Sequence, residues 1–331
     1  MRASVIIPAR NPGPELAECL QTLSAGDAGR PAEIIVVDDG STRGISTLPA
    51  CRHVRLIRLA GCGPAAARNA GARAAIGDVL VFLDADCVPE PGCLEALLTP
   101  FSDAGVVAAR GAYTTRQRGL VARFVQLELE EKQARLAQSR QIAVVDTACA
   151  AYRRSVFWDY GGFDERFPAG SAEDVELSFR MAEQGERLVF VPDARVSHRH
   201  PDRLSRYMWR KARFGFYRAR LYGRYPSRLV EDGYTPRLMP LQIGLTMLAV
   251  SSLGPGLRLG AARQLSLLAA LGFLGTTVPL ARRARATDPR LSPLVPAFLF
   301  ARSLAQGLGL SAGIAALAVE HVSAAVANRQ G

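Results

Sequence analysis

The sequence lacks the signals of a disulfide-stapled, zinc-binding or secreted protein. Its six cysteines include no C-x-x-C pair, so they indicate neither a zinc site nor a redox pair, and scattered thiols are typical of a reducing compartment. The chain opens on a short strand-like run, residues 4–8, rather than on the long apolar segment of a secretory signal. We therefore expect the N-terminal region to lie in the cytoplasm.

The positive charge is also not distributed as in a nucleic-acid-binding protein. The net charge is +11, yet residues 1–202 carry 23 basic and 26 acidic side chains, whereas residues 203–302 carry 17 basic and three acidic ones. A basic groove is therefore missing from the first 202 residues, and no nucleic-acid partner is expected. Positive charge concentrated beside apolar segments favours anionic lipid instead.

Short apolar runs alternate with helical patterns along the first 202 residues. Strands are predicted at 4–7, 34–37, 54–57, 79–83 and 188–191, and helices at 14–23, 65–75, 119–138, 173–184 and 203–222. This alternation predicts an α/β fold with a mostly parallel twisted sheet flanked by helices. In such sheets ligands bind beyond the carboxyl ends of the strands.

The last third of the chain is dominated by apolar runs. Residues 238–257 and 264–281 carry no charge, and two further uncharged runs, 291–301 and 303–319, are separated only by Arg302. The first two are long enough to span a bilayer or nearly so, but arginines flank both ends and leave the orientation open. Two full spans, a helical hairpin on the cytoplasmic side, and buried helices of a soluble domain all fit. We expect membrane association.

Acidic residues follow two of the predicted buried strands. Asp84 and Asp86 form an Asp-x-Asp pair after VLVFL, and two carboxylates at this spacing can bind Mg²⁺ or Mn²⁺, or divide between a metal and a ribose. Asp38 and Asp39 follow IIVV and can hydrogen-bond a base or ribose. Taken singly, each cluster also fits an acidic turn at the end of a strand.

Three other segments carry residues with possible chemistry. Gly63 and Arg68 lie where a loop opens into a helix, which suits phosphate, although Arg68 also fits a solvated helix face. Asp174 opens a helix and can serve as a general base, but acidic residues are also favoured at helix N-termini. Either His198 or His200 can complete a metal site, the alternative being surface histidines.

Together these segments resemble the inverting glycosyltransferases of the GT-A fold, family 2. The resemblance covers about residues 1–200 and is carried by SVIIPARN (4–11), EIIVVDDGST (33–42), GPAAARNAGARAAIGDVLVFLDADCVPEPG (63–92), YGGFDERF (160–167) and AEDVELSFRMAEQG (172–185). It implies a catalytic GT-A domain at residues 1–202. A basic juxtamembrane helical segment at 203–237 and an apolar helical membrane-associated region at 238–331 are expected to follow.

The resemblance also implies a role for each matching residue. The expected donor-binding residues are those of the nucleotide pocket, the base reader, the phosphate loop and the first aspartate of the pair, namely Pro8, Arg10, Asp39, Gly63, Arg68 and Asp84. The expected metal ligands are Asp86 and His198, for Mg²⁺ or Mn²⁺, and the expected general base is Asp174. Arg10 departs from the pattern, since many members carry an aromatic or small polar residue at this position.

The function implied is a metal-dependent inverting transfer of one sugar from a nucleotide-diphosphate sugar, with UDP favoured, to an acceptor hydroxyl. The chain has no Gln-x-x-Arg-Trp motif, which marks processive synthases, so single-sugar transfer is expected. Membrane lipid and a lipid-linked or cell-envelope acceptor are the expected further partners, and the cell membrane the expected location. The alternatives are a processive polysaccharide synthase and a non-catalytic, membrane-bound nucleotide-sugar-binding subunit.

Overall fold

The chain forms two compact units in the computed structural model, which describes residues 1–42, 45, 54–167, 172–228, 233, 235–256 and 260–327. The first unit comprises residues 1–117 and 132–200, and the second comprises 118–131 and 201–331. Residues 118–131, which the sequence placed in the domain 1–202, thus belong to the second unit. Parts of the predicted segments 203–237 and 238–331 lie outside the described residues.

The first unit is built on one sheet. Its described strands are β1 (Ala3–Ala9), β2 (Glu33–Asp39), β3 (Arg55–Leu59), β4 (Val79–Leu83), β5 (Cys87–Pro89), β6 (Val106–Thr114), β7 (Cys149–Arg153) and β8 (Arg187–His198). The helices between them are α1 (Glu15–Ala25), α2 (Pro64–Ala74), α3 (Cys93–Leu98), α5 (Arg154–Asp159) and α6 (Glu173–Glu183), while α4 (Leu120–Leu136) carries residues of both units. The strand order is β3-β2-β1-β4-β7-β6-β8-β5.

The sheet is mixed, with four of its seven strand pairs parallel, among them β6 with β8, and three antiparallel. Strands β3, β2, β1 and β4 run parallel, as predicted, but β7 is antiparallel to both β4 and β6, and β5 is antiparallel to β8. The sequence analysis missed β5, β6 and β7. These strands are rich in alanine or very short, so they lack the β-branched runs that identified the parallel strands.

The parallel half of the sheet positions the acidic residues. Strands β2, β1 and β4 are completely or almost completely buried, because Val, Ile, Leu and Phe fill both of their faces. Neighbouring parallel strands end at one edge, so Asp39 at the end of β2 and Asp84 just after β4 lie on the same side of the sheet. Behind that edge, the ring of Phe82 packs 5.2–5.9 Å from those of Tyr152, Phe157 and Phe163.

The second unit is helical. Its helices are α7 (Leu204–Arg224), α8 (Met239–Gly256), α9 (Gly260–Thr287) and α10 (Val295–Ala327). The segments Gly260–Thr287 and Ser292–Glu320 are long and apolar enough to cross a membrane, whereas α8 is shorter. The runs 291–301 and 303–319 therefore belong largely to one helix, with Arg302 inside it. Pro279 lies within α9 without ending it.

Arg302 is balanced by a carboxylate inside this unit. Glu128 of α4 accepts a hydrogen bond from Arg302 Nη1 (2.6 Å) and another from the Tyr207 hydroxyl (2.7 Å), and the Nζ of Lys211 lies 3.2 Å away. Burial alone would raise the pKa of Glu128, but the charges of Lys211 and Arg302 outweigh it and lower that pKa. The apolar helices therefore enclose a buried ion cluster.

Glu128→Gln is expected to lower the free energy of unfolding by about 3 kcal/mol, because the buried Arg302 and the partly buried Lys211 lose their counter-charge while the shape of the side chain is kept. The matched control is Arg220→Gln, which breaks the more exposed pair between Arg220 and Glu320 and is expected to change stability by less than about 1 kcal/mol. Chemical denaturation of the two variants checks this. Equal effects would show that the Glu128 cluster does not contribute as described.

Candidate active site

The carboxylate of Asp39 holds the loop that opens α2. Its Oδ1 accepts the backbone N–H of Cys62 (2.6 Å) and its Oδ2 that of Gly63 (2.9 Å). Gly63 has a φ of 93°, which a side chain would strain, and Pro64 follows as the first helical residue. Carboxylate oxygens have further lone pairs, so this arrangement leaves Asp39 able to accept from a base as well.

The nucleotide-side residues of β1 lie beside this loop. Pro8 is partly buried and pairs with Val37 of β2. Arg10 is exposed, and its guanidinium lies 3.9 Å from where a β-carbon on Gly61 would stand. An exposed planar cation above a glycine loop offers a face or an N–H fork to a ligand.

Arg68 is buried rather than placed on a solvated helix face. It donates from Nη2 to Oδ1 of Asp84 (2.7 Å) and from Nη1 to Oε1 of Glu173 (2.8 Å). Burial opposes its charge, but the two carboxylates outweigh that effect and raise the pKa of Arg68. The arginine thereby joins the turn after β4 to the first residue of α6, although the two are far apart in sequence.

Asp174 follows Glu173 in the first turn of α6 and is half-buried. Its Oδ1 accepts the N–H of Val175 (2.8 Å) and its Oδ2 that of Thr147 (3.4 Å). Burial, then the charges of Glu173 and Asp146, raise the pKa of Asp174 from its usual 3.8 to about 7, against the opposing charge of Arg68. A carboxylate that titrates near neutrality is suited to accept a proton in catalysis.

This raised pKa predicts how stability depends on pH. Below about pH 4 Asp174 is protonated in both the folded and the unfolded chain. Between about pH 4 and 7 Asp174 ionises only in the unfolded chain, so the free energy of unfolding falls as the pH rises. Above about pH 7 Asp174 is ionised in both states, and the full free-energy cost of burying its charge is present. Asp174→Asn removes the cost and is expected to stabilise the protein by about 2 kcal/mol at pH 8 but not at pH 4.

The matched control for this stability prediction is Asp146→Asn. The Oδ2 of Asp146 lies 3.0 Å from Nη2 of the fully buried Arg110, so removing its charge is expected to destabilise the protein at pH 8. Thermal unfolding at the two pH values gives the comparison. An Asp174→Asn protein that is less stable than wild type at pH 8 would contradict the assignment of the raised pKa.

Asp86 and His198 lie together at the end of β8. The Nε2 of His198 is 3.5 Å from Oδ1 of Asp86, and the Sγ of Cys87 is 3.8 Å from the same oxygen. The ligand atoms of these three side chains all lie within 4.8 Å of one another. Because a carboxylate and an imidazole are ordinary ligands of divalent ions, these residues fit the expected metal.

The structure separates the two histidines that the sequence left as alternatives. His198 faces Asp86, whereas the backbone of His200 exchanges two hydrogen bonds with the side chain of Gln117 (2.6 and 3.0 Å). In the described part of the chain, the group of possible ligands around Asp86 includes His198 and not His200.

Contacts thus link most of the predicted site residues. Asp39 holds the loop that begins α2, and Arg68 of α2 holds Asp84 and Glu173. Asp174 is joined to this network through the adjacent Glu173. Asp86, in the turn that begins at Asp84, lies 3.5 Å from His198 at the end of β8. Pro8 of β1 pairs with Val37 of β2, and Arg10, just after β1, lies beside Gly61.

Sequence reasoning missed three residues that shape the site. Asn11 has a φ of 46° and accepts the N–H of Thr42 (2.9 Å), which ties the end of β1 to the turn after β2. Asp146 adds its charge to the surroundings of Asp174. Cys87 lies next to His198 because β5 pairs with β8. A polar residue two positions after β1 was the available signal for Asn11. The place of Cys87 beside His198 depends on strand pairing, and no local signal pointed to Asp146.

Comparison with known proteins finds relatives that are glycosyltransferases. The family described as glycosyl transferase family 2 matches residues 4–161. The pre-mycofactocin glycosyltransferase of Mycobacterium tuberculosis is 35% identical over 235 residues, covering 68% of this chain and 48% of that protein. An N-acetylglucosaminyltransferase of Bradyrhizobium diazoefficiens is 31% identical, covering 75% of this chain and 56% of the relative. The chain thus spans about half the length of these curated relatives.

Solved structures share the fold. A mannosyltransferase from Pyrobaculum calidifontis, in complex with GDP-Man and Mn²⁺, has a TM-score of 0.56 at 21% identity and covers 92% of this chain and 86% of its own. Glucosyl-3-phosphoglycerate synthase from M. tuberculosis, in complex with Mn²⁺, UDP and phosphoglyceric acid, has a TM-score of 0.50 at 20% identity, with 67% and 78% covered. The solved structures share the fold alone, whereas the family match and the relative that is 35% identical show that the chain belongs to glycosyltransferase family 2.

Proposed function

We propose that this protein is a metal-dependent inverting glycosyltransferase that moves one sugar from a nucleotide-diphosphate sugar to an acceptor hydroxyl. The single observation that carries the proposal is the bridge made by Arg68, whose two Nη groups hold Asp84 and Glu173. Because of this bridge, the residues expected at the donor and the residue expected to be the base lie around one guanidinium. Such convergence is what a displacement reaction requires.

The proposed reaction is a direct displacement at the sugar carbon. The acceptor oxygen forms the new bond to that carbon while the bond from carbon to the diphosphate oxygen breaks. Asp174 takes the proton of the acceptor hydroxyl, and the nucleoside diphosphate leaves with the electron pair. A divalent cation held by Asp86 and His198 would supply positive charge for the leaving diphosphate.

Arg68 has a supporting part in this scheme. Its charge lowers the pKa of Asp174, which burial and Glu173 raise, so the bridge limits how much of the base is protonated at neutral pH. It also orients Asp84 at the end of β4. The expected direct contact of Arg68 with the donor phosphates stays a prediction, since both of its Nη groups are already paired with carboxylates.

The donor is proposed to be a UDP-sugar, as the family resemblance implies, with a GDP-sugar as the competitor. Both nucleotides occur in complexes of the fold neighbours, UDP with the glucosyl-3-phosphoglycerate synthase and GDP-Man with the mannosyltransferase. The test is a panel of UDP- and GDP-sugars added with Mn²⁺ while thermal unfolding is followed. A donor at about 100 times its dissociation constant contributes about 2.7 kcal/mol, which raises the melting temperature by about 5 °C.

Two results of this panel would contradict the proposal. If no nucleotide sugar stabilises the protein, the assignment of the donor site is wrong. If EDTA leaves the stabilisation unchanged, the proposed dependence of donor binding on a divalent metal is wrong. The length of the product made from the stabilising donor then separates single-sugar transfer from processive synthesis.

The acceptor is proposed to be lipid-linked. This rests on α7, where Arg206, Trp209 and Arg210 are exposed, with Trp209 68% accessible, and on the two helices apolar enough to span a membrane. A basic helix with an exposed tryptophan suits an anionic lipid surface. Retention of the full chain in membranes through high-salt and alkaline washes tests the association; recovery of all the protein in the soluble fraction would contradict it.

A further inference from the structure

Three side chains of different chemistry converge just beyond β4. They are the carboxylate of Asp86, the thiol of Cys87 and the imidazole of His198, and their ligand atoms all lie within 4.8 Å of one another. In the part of the chain that the structure describes, this is the one group of three such side chains so close together. The thiol is the unexpected member, because Mg²⁺ and Mn²⁺ sites are usually built from oxygen.

Strand pairing explains why the thiol and the imidazole face the same way. Cys87 of β5 and His198 of β8 are direct partners in an antiparallel pair. Side chains of directly opposed residues project from the same face of a sheet, a few ångströms apart. Two hydrogen bonds frame the turn, from the N–H of Cys87 to the carbonyl of Asp84 (3.0 Å) and from the N–H of Arg199 to that of Asp86 (3.2 Å).

The separations suit a tetrahedral ion. With metal–ligand bonds of about 2.0 Å to oxygen and nitrogen and 2.3 Å to sulfur, a tetrahedral ion places oxygen about 3.3 Å from nitrogen and about 3.5 Å from sulfur. The structure has 3.5 Å between Asp86 Oδ1 and His198 Nε2, and 3.8 Å between that oxygen and Cys87 Sγ. The third separation, between Cys87 Sγ and the imidazole, is within 4.8 Å, so the sulfur and the ring need to approach by up to about 1.3 Å to bind one tetrahedral ion.

Burial distinguishes the three ligands. Cys87 is fully buried and His198 nearly so, whereas the side chain of Asp86 is 47% exposed and open to solvent. Cys87 and His198 are thus held in the sheet, whereas Asp86 faces the solvent from which an ion would enter. Burial alone does not single out Cys87, since Cys19, Cys93 and Cys149 are also buried. Its position opposite the histidine does.

We propose that Cys87 is a third protein ligand of this centre, which makes it a site for a thiophilic divalent cation such as Zn²⁺ or Co²⁺ even without nucleotide. One thiolate, one carboxylate and one neutral imidazole balance the charge of a divalent ion, and the thiol proton passes to the buffer on binding. Three protein ligands with a fourth position open is the arrangement of catalytic zinc sites. The inference shares Asp86 and His198 with the proposed function but needs no transfer activity.

The proposal makes the metal preference of this chain depend on one sulfur. Mg²⁺ does not favour sulfur and is expected to bind through Asp86 and the donor diphosphate, with weak affinity when the donor is absent. Zn²⁺ and Co²⁺ are expected to bind the donor-free protein tightly. Cysteine is a soft ligand that selects such ions.

The test is a Co²⁺ titration of the metal-free full chain without nucleotide. A sulfur-to-cobalt charge-transfer absorption in the near ultraviolet, saturating at one ion per chain, is the expected result. Cys87→Ser is expected to lose this absorption and to bind Co²⁺ about 100-fold more weakly. Cys62→Ser removes the exposed thiol and is expected to keep the absorption.

The outcomes separate this inference from the proposed function. Wild-type protein that binds Co²⁺ without the charge-transfer absorption would overturn the inference and needs no variant to fold. Retention of the absorption in Cys87→Ser, with circular dichroism matching wild type, would overturn it as well. Donor binding with no sulfur absorption would leave the proposed function standing, and sulfur ligation with no donor binding would overturn only that function.

Discussion

Asp174→Asn is expected to reduce the rate of sugar transfer by about 10³-fold while the affinity for the donor changes little. General-base catalysis contributes about 10²- to 10⁴-fold, and asparagine cannot take the acceptor proton. Donor affinity is spared because Asp174 is held by the backbone of Thr147 and Val175, whereas the donor loop is held by Asp39. The measurement is steady-state transfer from the donor found in the nucleotide-sugar panel, with donor binding determined separately.

The pH profile adds a second readout to this variant. Since the pKa of Asp174 is about 7, only its ionised form accepts a proton, so wild-type transfer is expected to rise with pH and level off above about 7. Glu183→Gln, an exposed change in the last turn of the same helix, is the matched control and is expected to keep both rate and profile. Unchanged turnover in Asp174→Asn would reject Asp174 as the base.

Asp86→Ala is expected to weaken donor binding in the presence of Mn²⁺ by about 100-fold, or about 2.7 kcal/mol. The carboxylate is the solvent-facing member of the Asp86 and His198 pair, so its removal leaves Mn²⁺ without its carboxylate ligand. The diphosphate then loses most of the positive charge that compensates it. Calorimetric titration of the donor with Mn²⁺ measures the change.

Two further measurements sharpen the Asp86 prediction. In EDTA the donor affinities of wild type and Asp86→Ala are expected to converge, because the metal is absent from both. Asp193→Ala, at an aspartate of β8 whose side chain is 83% exposed, is the matched control and is expected to bind donor like wild type. A wild-type affinity that is indifferent to EDTA would count against any metal at this site.

The strands that sequence reasoning found and missed differ in composition. Residues 79–83 were predicted as a strand and form β4, since VLVFL is a continuous apolar run. The missed strand β6 contains Arg110 and Gly111, which are weak strand formers. A β-carbon on Gly111 would lie 2.4 Å from both Cys149 Sγ and the carbonyl oxygen of Ala194, so this glycine is required by the close approach of β7 and β8. That requirement is visible only when both strands are in place.

The features of the candidate site also divide into those that the sequence predicted and those that it did not. The Asp-x-Asp pair and Asp174 were chosen from local signals, namely acidic residues directly after a buried strand or at the start of a helix. The bridge from Arg68 to Glu173 joins residues 105 positions apart, and Cys87 meets His198 across a strand pair. Local pattern carried no information on either contact, and Arg68 was read as a phosphate ligand or a surface residue for that reason.

The sequence by itself determined which segments are buried strands, where acidic turns follow them, and which family the motifs resemble. These properties depend on composition and spacing within about ten residues. Only the tertiary structure decided that Arg68 holds two carboxylates, that His198 rather than His200 faces Asp86, and that Arg302 is neutralised by Glu128. The physical reason is that the order of strands and the packing of helices determine which distant side chains come into contact. Burial then affects the ionisation of those side chains.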